Sequence, residues 1–158
     1  ALSSELVTTI SKPYYYIKSK APISALNGEF FDEKYSKLMT YLGADAEKNM
    51  NGSPFAIYSV WDEQNNMAEL AVALPCQSKK PENGEIKKGN TYEGDAIKCK
   101  YKGSYENISA AHDYLNTYAR DYGYAIVGSP WEVYLVGQST ESDPKKWVTE
   151  VYYPVKKV

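Results

Sequence analysis

The chain has 158 residues and a mass of 17.8 kDa, with 43% hydrophobic and 24% charged residues. That is enough for one domain, or for two small repeats sharing a core. It excludes a disordered chain, and with about 70% of the unfolded surface buried at this size no metal or disulfide is needed for folding. A net charge of −2, a pI of about 5.5 and a single arginine, Arg120, argue against a direct nucleic-acid partner, because phosphate recognition favours a basic face with arginine forks.

In chain order, the start, Ala1-Leu2-Ser3-Ser4-Glu5, carries no basic region followed by an apolar stretch, so no signal peptide is visible. No apolar run is long enough for a membrane span. A cytoplasmic location is expected, whether the chain is whole or was cut from a longer protein. Tyr14–Lys18 reads as a strand. Phe31, Tyr35, Leu38, Met39 and Leu42 then fall at helical spacing, and Gly43 can end that helix. Phe55–Tyr58 and Met67–Leu74 read as two further strands, the second carrying Glu69 in its middle. Cys76 to Gly94, rich in Lys, Glu, Asn, Gly and Pro, reads as a solvated connector with a short edge strand at Gly89–Tyr92.

The same order follows again: a strand at Ala96–Tyr101, a helix through Ile108, Ala111, His112, Leu115, Ala119 and Tyr122 before Gly123, a strand at Trp131–Tyr134, and a last strand at Trp147–Val155 carrying Glu150. Gly52-Ser53-Pro54-Phe55-Ala56-Ile57-Tyr58 repeats as Gly128-Ser129-Pro130-Trp131-Glu132-Val133-Tyr134. The expected organisation is one domain over residues 1–158, with repeat one at about 7–75, a linker at about 76–90 and repeat two at about 91–156. Each repeat is strand–helix–strand–strand. The fold class is α+β: an antiparallel sheet of two pseudo-symmetric halves, two helices on one face, and a ligand cleft between the halves.

Sixteen tyrosines, three tryptophans and three phenylalanines make the chain 14% aromatic. Tyrosine grips a ligand while keeping a wet tip, although tyrosine-rich strand faces are also an ordinary strand preference. Glu150 is the most informative acid. Alternation places it with Val148 and Tyr152, opposite Trp147, Thr149, Val151 and Tyr153. A mid-strand carboxylate is costly if buried unpaired, so it points to solvent or serves a site. The lining candidates are Glu150, Glu69, Tyr58, Trp131, Tyr134, Tyr152, Phe55, Trp61, Tyr16 and Tyr105. Period two puts Phe55, Ile57 and Trp61 on one face with Tyr58 opposite, and Trp131, Val133 and Leu135 on one face with Tyr134 opposite. Two cysteines and one histidine are too few for a closed zinc site, so no metal and no cofactor are expected. His112, on its helix, reads as a partly buried packing residue.

The two Gly-Ser-Pro-aromatic runs, the Lys102-Gly103-Ser104-Tyr105 turn and the closing Trp147-Val148-Thr149-Glu150-Val151-Tyr152-Tyr153-Pro154-Val155 together resemble the gyrase-inhibitor-like (GyrI-like) small-molecule-binding domain. That domain is also the effector-binding part of AraC-type and MerR-type multidrug-responsive regulators. The resemblance implies a tandem strand–helix–strand–strand fold, an acid at the position of Glu150 that contacts cationic aromatic ligands, and aromatic walls from Tyr58, Trp131 and Tyr134. The histidine typical of the family before the Gly-Ser-Tyr turn is replaced here by Tyr101 or Lys102. Three functions follow as expectations. The first is a module that binds a small hydrophobic or cationic ligand, as sensor or sequestering agent, with any DNA-contacting domain lying outside this chain. The second is a hydrolase that opens strained cyclopropane rings of DNA-alkylating compounds, with Glu150 as general base and Tyr58 or Tyr134 as proton donor. The third is a protein-interaction module of the gyrase-inhibitor kind.

Overall fold

Residues 2–158 are described by a computed structural model. The chain divides into two units. One is the continuous segment Ser11–Thr91, here the insert unit; the other, the split unit, joins the residues up to Ile10 to Tyr92–Val158. The first strand, β1 (Ser4–Thr9), therefore belongs to the split unit.

The insert unit runs β2 (Pro13–Ala21), α1 (Gly28–Leu42), α2 (Ala44–Lys48), β3 (Phe55–Asp62), β4 (Met67–Pro75) and β5 (Ile86–Asn90). Its antiparallel strands lie in the order β3-β4-β2-β5. In β2 the alternation Tyr14-Tyr15-Tyr16-Ile17 sends Tyr15 and Ile17 to the helix side. There they pack with Leu74 and Ile86 against Leu38 and Leu42 of α1 and Ala46 of α2. Asn27 starts α1 by accepting a hydrogen bond from the Phe30 amide at 3.0 Å, and Gly43, at φ 54°, stops it in a backbone conformation that L side chains rarely adopt.

The split unit adds β6 (Gly94–Lys102), α3 (Ser109–Asp121), β7 (Tyr124–Ile126), β8 (Trp131–Val136) and β9 (Val148–Lys157) to β1. Its order is β1-β6-β9-β8, and β7 pairs with the end of β9. Alternate residues Ile97, Cys99, Val151, Tyr153 and Val155 face α3 and bury its stripe of Ala111, Leu115 and Ala119. Each unit thus repeats one plan. The strand before the helix has the last strand of its half on one side and a short added strand, β5 or β1, on the other. The α+β class and the repeated strand–helix–strand–strand order read from the sequence are those observed.

Three elements had no sequence expectation: β1, α2 and β7. The edge strand of the connector lies at Ile86–Asn90, upstream of the Gly89–Tyr92 expected, because Ile86 supplies the apolar residue that docks opposite Ile17. Trp61 requires a correction. Pairing in β3 slips between Tyr58 and Val60, so Ser59 is an extra residue and Trp61 falls opposite Ala68, on the face of Tyr58 rather than of Phe55. The rings of Tyr58 and Trp61 meet edge-on at 5.8 Å. The same slip between Tyr134 and Val136 makes Leu135 the extra residue of β8, so it does not continue the face of Trp131 and Val133. Cys76 and Cys99 are buried free thiols, both pushed up in pKa, chiefly by burial.

Gly94 opens β6 at φ 141°, and a Cβ there would lie 2.7 Å from the Tyr92 hydroxyl oxygen. Gly94→Ala is expected to cost about 1–2 kcal/mol in a urea titration, from backbone strain and displacement of the Tyr92 ring. An unchanged midpoint would contradict this.

Candidate functional site

The face of the split-unit sheet that packs on α3 carries one acid among its apolar residues. Glu132 lies opposite Val151, between Trp131 and Val133, which point to the other face. It is 6% exposed. One carboxylate oxygen accepts a 2.9 Å hydrogen bond from the Tyr134 hydroxyl. The other lies 2.7 Å from Nε2 of His112 on α3, and Nδ1 of the same ring lies 2.7 Å from the Tyr153 hydroxyl. Among the described residues no lysine or arginine pairs with this carboxylate.

Aromatic rings surround the group. Tyr105, in the short turn of 3₁₀ helix Tyr105–Asn107, meets Tyr134 edge-on at 5.8 Å and lies tilted on Trp147 at 5.1 Å. The Trp147 indole is anchored by a 2.8 Å bond to the Glu141 carbonyl. Burial raises the pKa of the Tyr105 hydroxyl, and the charge of Glu132 raises it further. Tyr153 is raised as well, first by burial, with an opposing hydrogen bond from Asn116 and reinforcing charges on Glu132 and Asp113. Even so, Tyr105 keeps 40% of its surface exposed, so the cluster reaches the solvent through it.

The opposite face holds Glu150, Tyr152, Trp131 and Lys98. Glu150 is 9% exposed, and Lys98 Nζ lies 2.9 Å from one of its oxygens while the Tyr152 hydroxyl donates to the other at 3.2 Å. Trp131 stacks on Tyr152 with ring centroids 4.9 Å apart and planes 4° from parallel, and Tyr92 lies 6.0 Å from Trp131. Burial alone would lower the Lys98 ammonium, but its hydrogen bond to Glu150 and the charges of Tyr152, Glu150 and Glu5 hold it above its ordinary range. Glu150 is thus paired with a lysine, whereas among the described residues no lysine or arginine pairs with Glu132.

The structure separates residues that sequence reasoning grouped. Tyr134 pairs opposite Thr149, one register position from Glu150, so Tyr134 and Glu150 occupy opposite faces. In the insert unit Tyr58 pairs opposite Leu70 on the helix face, while Glu69 lies on the other face, opposite Lys20 and Val60. Phe55 and Tyr16 share that second face with Tyr14, whose ring is 5.3 Å from each. What is brought together is Glu150 with Tyr152 and Trp131, Tyr105 with Tyr134, and Phe55 and Tyr16 through Tyr14.

Glu132 and His112 were missed as a pair. The signal lay in the internal repeat. Glu132 takes the place of Ala56, which is fully buried on the helix face of the insert unit. A carboxylate standing where the matching half buries an alanine has to be answered by a specific partner. The single histidine, also on a helix's inner side, was the available one. Two shallow depressions lie elsewhere, one of about 500 Å³ between α1 and the Asn83–Ile86 turn and one of about 370 Å³ along α3, and neither is lined by Glu132 or Glu150. Among the described residues no three His, Cys, Asp or Glu side chains gather as metal ligands, and no helix is long and apolar enough to cross a membrane.

Comparison with known proteins adds the context. A family model described as the GyrI-like small molecule binding domain matches residues 4–156. No curated protein matches the sequence. The C-terminal domain of EcmrR superposes with a TM-score of 0.78 at 22% identity, over 99% of both chains. EcmrR in its DNA complex gives 0.80 at 22% identity over 99% of this chain, which spans only 58% of that longer one. SAV2435 bound to tetraphenylphosphonium gives 0.61 at 13% identity, over 98% of this chain and 94% of that one. A hydrolase from Listeria innocua gives 0.64 at 11% identity, over 97% and 91%. At these identities the likenesses establish the fold.

Proposed function

The chain belongs to the GyrI-like small-molecule-binding domain family, and on that premise we propose that its ligand is a lipophilic cation with aromatic groups, held against Glu132. One observation carries this reading: a carboxylate enclosed by tyrosine rings whose ionisable base partner, among the described residues, is a histidine. A buried negative charge without a fixed cation favours a cation brought by the ligand. Each ring face adds about 0.5–2 kcal/mol of cation–π attraction. Tyr105 and Tyr134 offer such faces, and Trp147 stands behind Tyr105. The chain then serves as the effector-sensing part of a regulator, or as a sequestering module. In this reading Glu150 is the counter-charge of Lys98, and the stacked Trp131 and Tyr152 shield that ion pair.

Tetraphenylphosphonium, a permanent cation with four rings, is the probe, and tryptophan fluorescence is the readout. Glu132→Gln is expected to weaken binding at least about tenfold, or about 1.4 kcal/mol, with Glu150→Gln within about twofold of the native chain. If Glu150→Gln carried the loss instead, the ligand's anion would lie on the opposite face.

Hydrolysis of a strained ring is the second reading. It is favoured by the 2.9 Å Tyr134–Glu132 bond, which places a base for water and a proton donor on one face. It requires ring-opened product from a cyclopropane-bearing electrophile, detected by mass and lost in Glu132→Gln.

A further inference from the structure

We propose that His112 is the specificity-determining residue of the Glu132 site: neutral, it leaves the carboxylate's charge for a cationic ligand, and protonated, it cancels that charge and expels the ligand. This inference rests on the reading of Glu132 as the ligand's anion.

The geometry lets the imidazole change charge in place. With a neutral ring, the Tyr153 hydroxyl donates to Nδ1 and Nε2–H donates to Glu132. With a protonated ring, Nδ1–H donates to the Tyr153 oxygen and Nε2–H still donates to Glu132. Tyr153 serves either state by rotating one hydrogen, so no heavy atom has to move. The ring is held for this task. It meets the Tyr153 ring edge-on at 5.6 Å, and Asn116 caps the His112 carbonyl at 2.9 Å. The ionisable groups around it are Glu132 and Tyr134 on β8, Tyr153 on β9, Tyr105 in the turn before α3, and Asp113 on α3 itself. Of these, only histidine carries an ordinary charge change between pH 5 and 8. Protonation of the ring takes the Glu132–His112 pair from net −1 to net 0. A neutral aromatic compound meets almost the same pocket in both states, whereas a cation meets two different ones. Binding a cation at a pH where His112 is partly protonated releases the Nδ1 proton to solvent, which keeps the charge balanced.

Tetraphenylphosphonium tests this cleanly, because it has no proton to lose. Its Kd for the native chain is expected to be about tenfold larger with His112 protonated than with it neutral, and so to rise severalfold as the pH falls from 8 to 5.5. For His112→Gln, whose amide can still donate to Glu132, Kd should be flat over the same interval, whatever its absolute value. A second measurement needs no variant. His112 is the only histidine, so its ring-proton resonances stand alone in the spectrum. Saturation with tetraphenylphosphonium should lower their titration midpoint by about one pH unit, the reciprocal of the effect on Kd. A pH dependence that survives in His112→Gln, or a midpoint unmoved by bound ligand, overturns the inference. If either occurs while Glu132→Gln still loses affinity, the reading of Glu132 stands without it. If Glu132→Gln binds as the native chain does, or tetraphenylphosphonium does not bind at all, both fall.

Discussion

Leu115→Ala is expected to remove about 3 kcal/mol of stability, the middle of the range for truncating a fully buried leucine. The buried stripe of α3 is Ala111, Leu115 and Ala119, so two alanines let the helix lie close to the sheet and one leucine fills the space they leave. The other buried residues of the helix are alanines, too small to fill the gap, and the facing residues Ile97, Cys99 and Val151 are fixed in paired strands. The cavity therefore stays open. Urea denaturation followed by circular dichroism gives the number, and a loss under about 1 kcal/mol would mean that α3 is not anchored as described. The same variant should weaken tetraphenylphosphonium binding, because His112 and Leu115 sit one helical turn apart on one helix.

Lys98→Met is expected to cost about 2 kcal/mol at pH 7.5. That is less than the 3–5 kcal/mol for a fully buried pair, since the lysine tip reaches water. The loss comes from the stranded Glu150 carboxylate, not from the missing packing, which methionine largely restores. Its pH dependence is the diagnostic. A carboxylate stranded in partial burial has its folded-state pKa raised above the unfolded value. Proton uptake then favours the folded state, and the deficit of the variant shrinks as the pH drops toward 5. In the native chain the linkage concerns Lys98. Its folded pKa is raised, so the stabilisation is fully present below the ordinary lysine range and fades as pH rises through the folded value. Parallel stability curves for Lys98→Met and Lys98→Met/Glu150→Gln between pH 5 and 8 would show that Glu150 is not the origin.

Periodicity made the helices legible. Leu38 and Leu42, and Ala111, Leu115 and Ala119, were on the expected spacing and are the residues that meet the sheets. The repeated Gly-Ser-Pro-aromatic run made the duplication legible. What escaped depended on pairing partners far along the chain. β1 has no strong pattern of its own and becomes a strand because β6 offers an unpaired edge. The bulges at Ser59 and Leu135 shift a face by one residue, and alternation counted along a strand cannot register an extra residue. Glu150 drew attention as an acid among apolar neighbours, yet its answer, Lys98, sits on β6 in diagonal register, on a strand far from it in the sequence. Glu132 drew none, because a glutamate beside a tryptophan in a short strand looks like an ordinary surface position until its repeat partner proves to be a buried alanine.

The pairing of Ser4 with Cys99 has a consequence for biosynthesis. A ribosome delivers β1 first and β9, the central strand of the same sheet, last. The insert unit is contiguous and can be complete while the nascent N-terminal strand still waits for its neighbour. The half that carries the Glu132 carboxylate is consequently assembled only once β9 has emerged, and an exposed strand edge has to be kept from foreign partners until then.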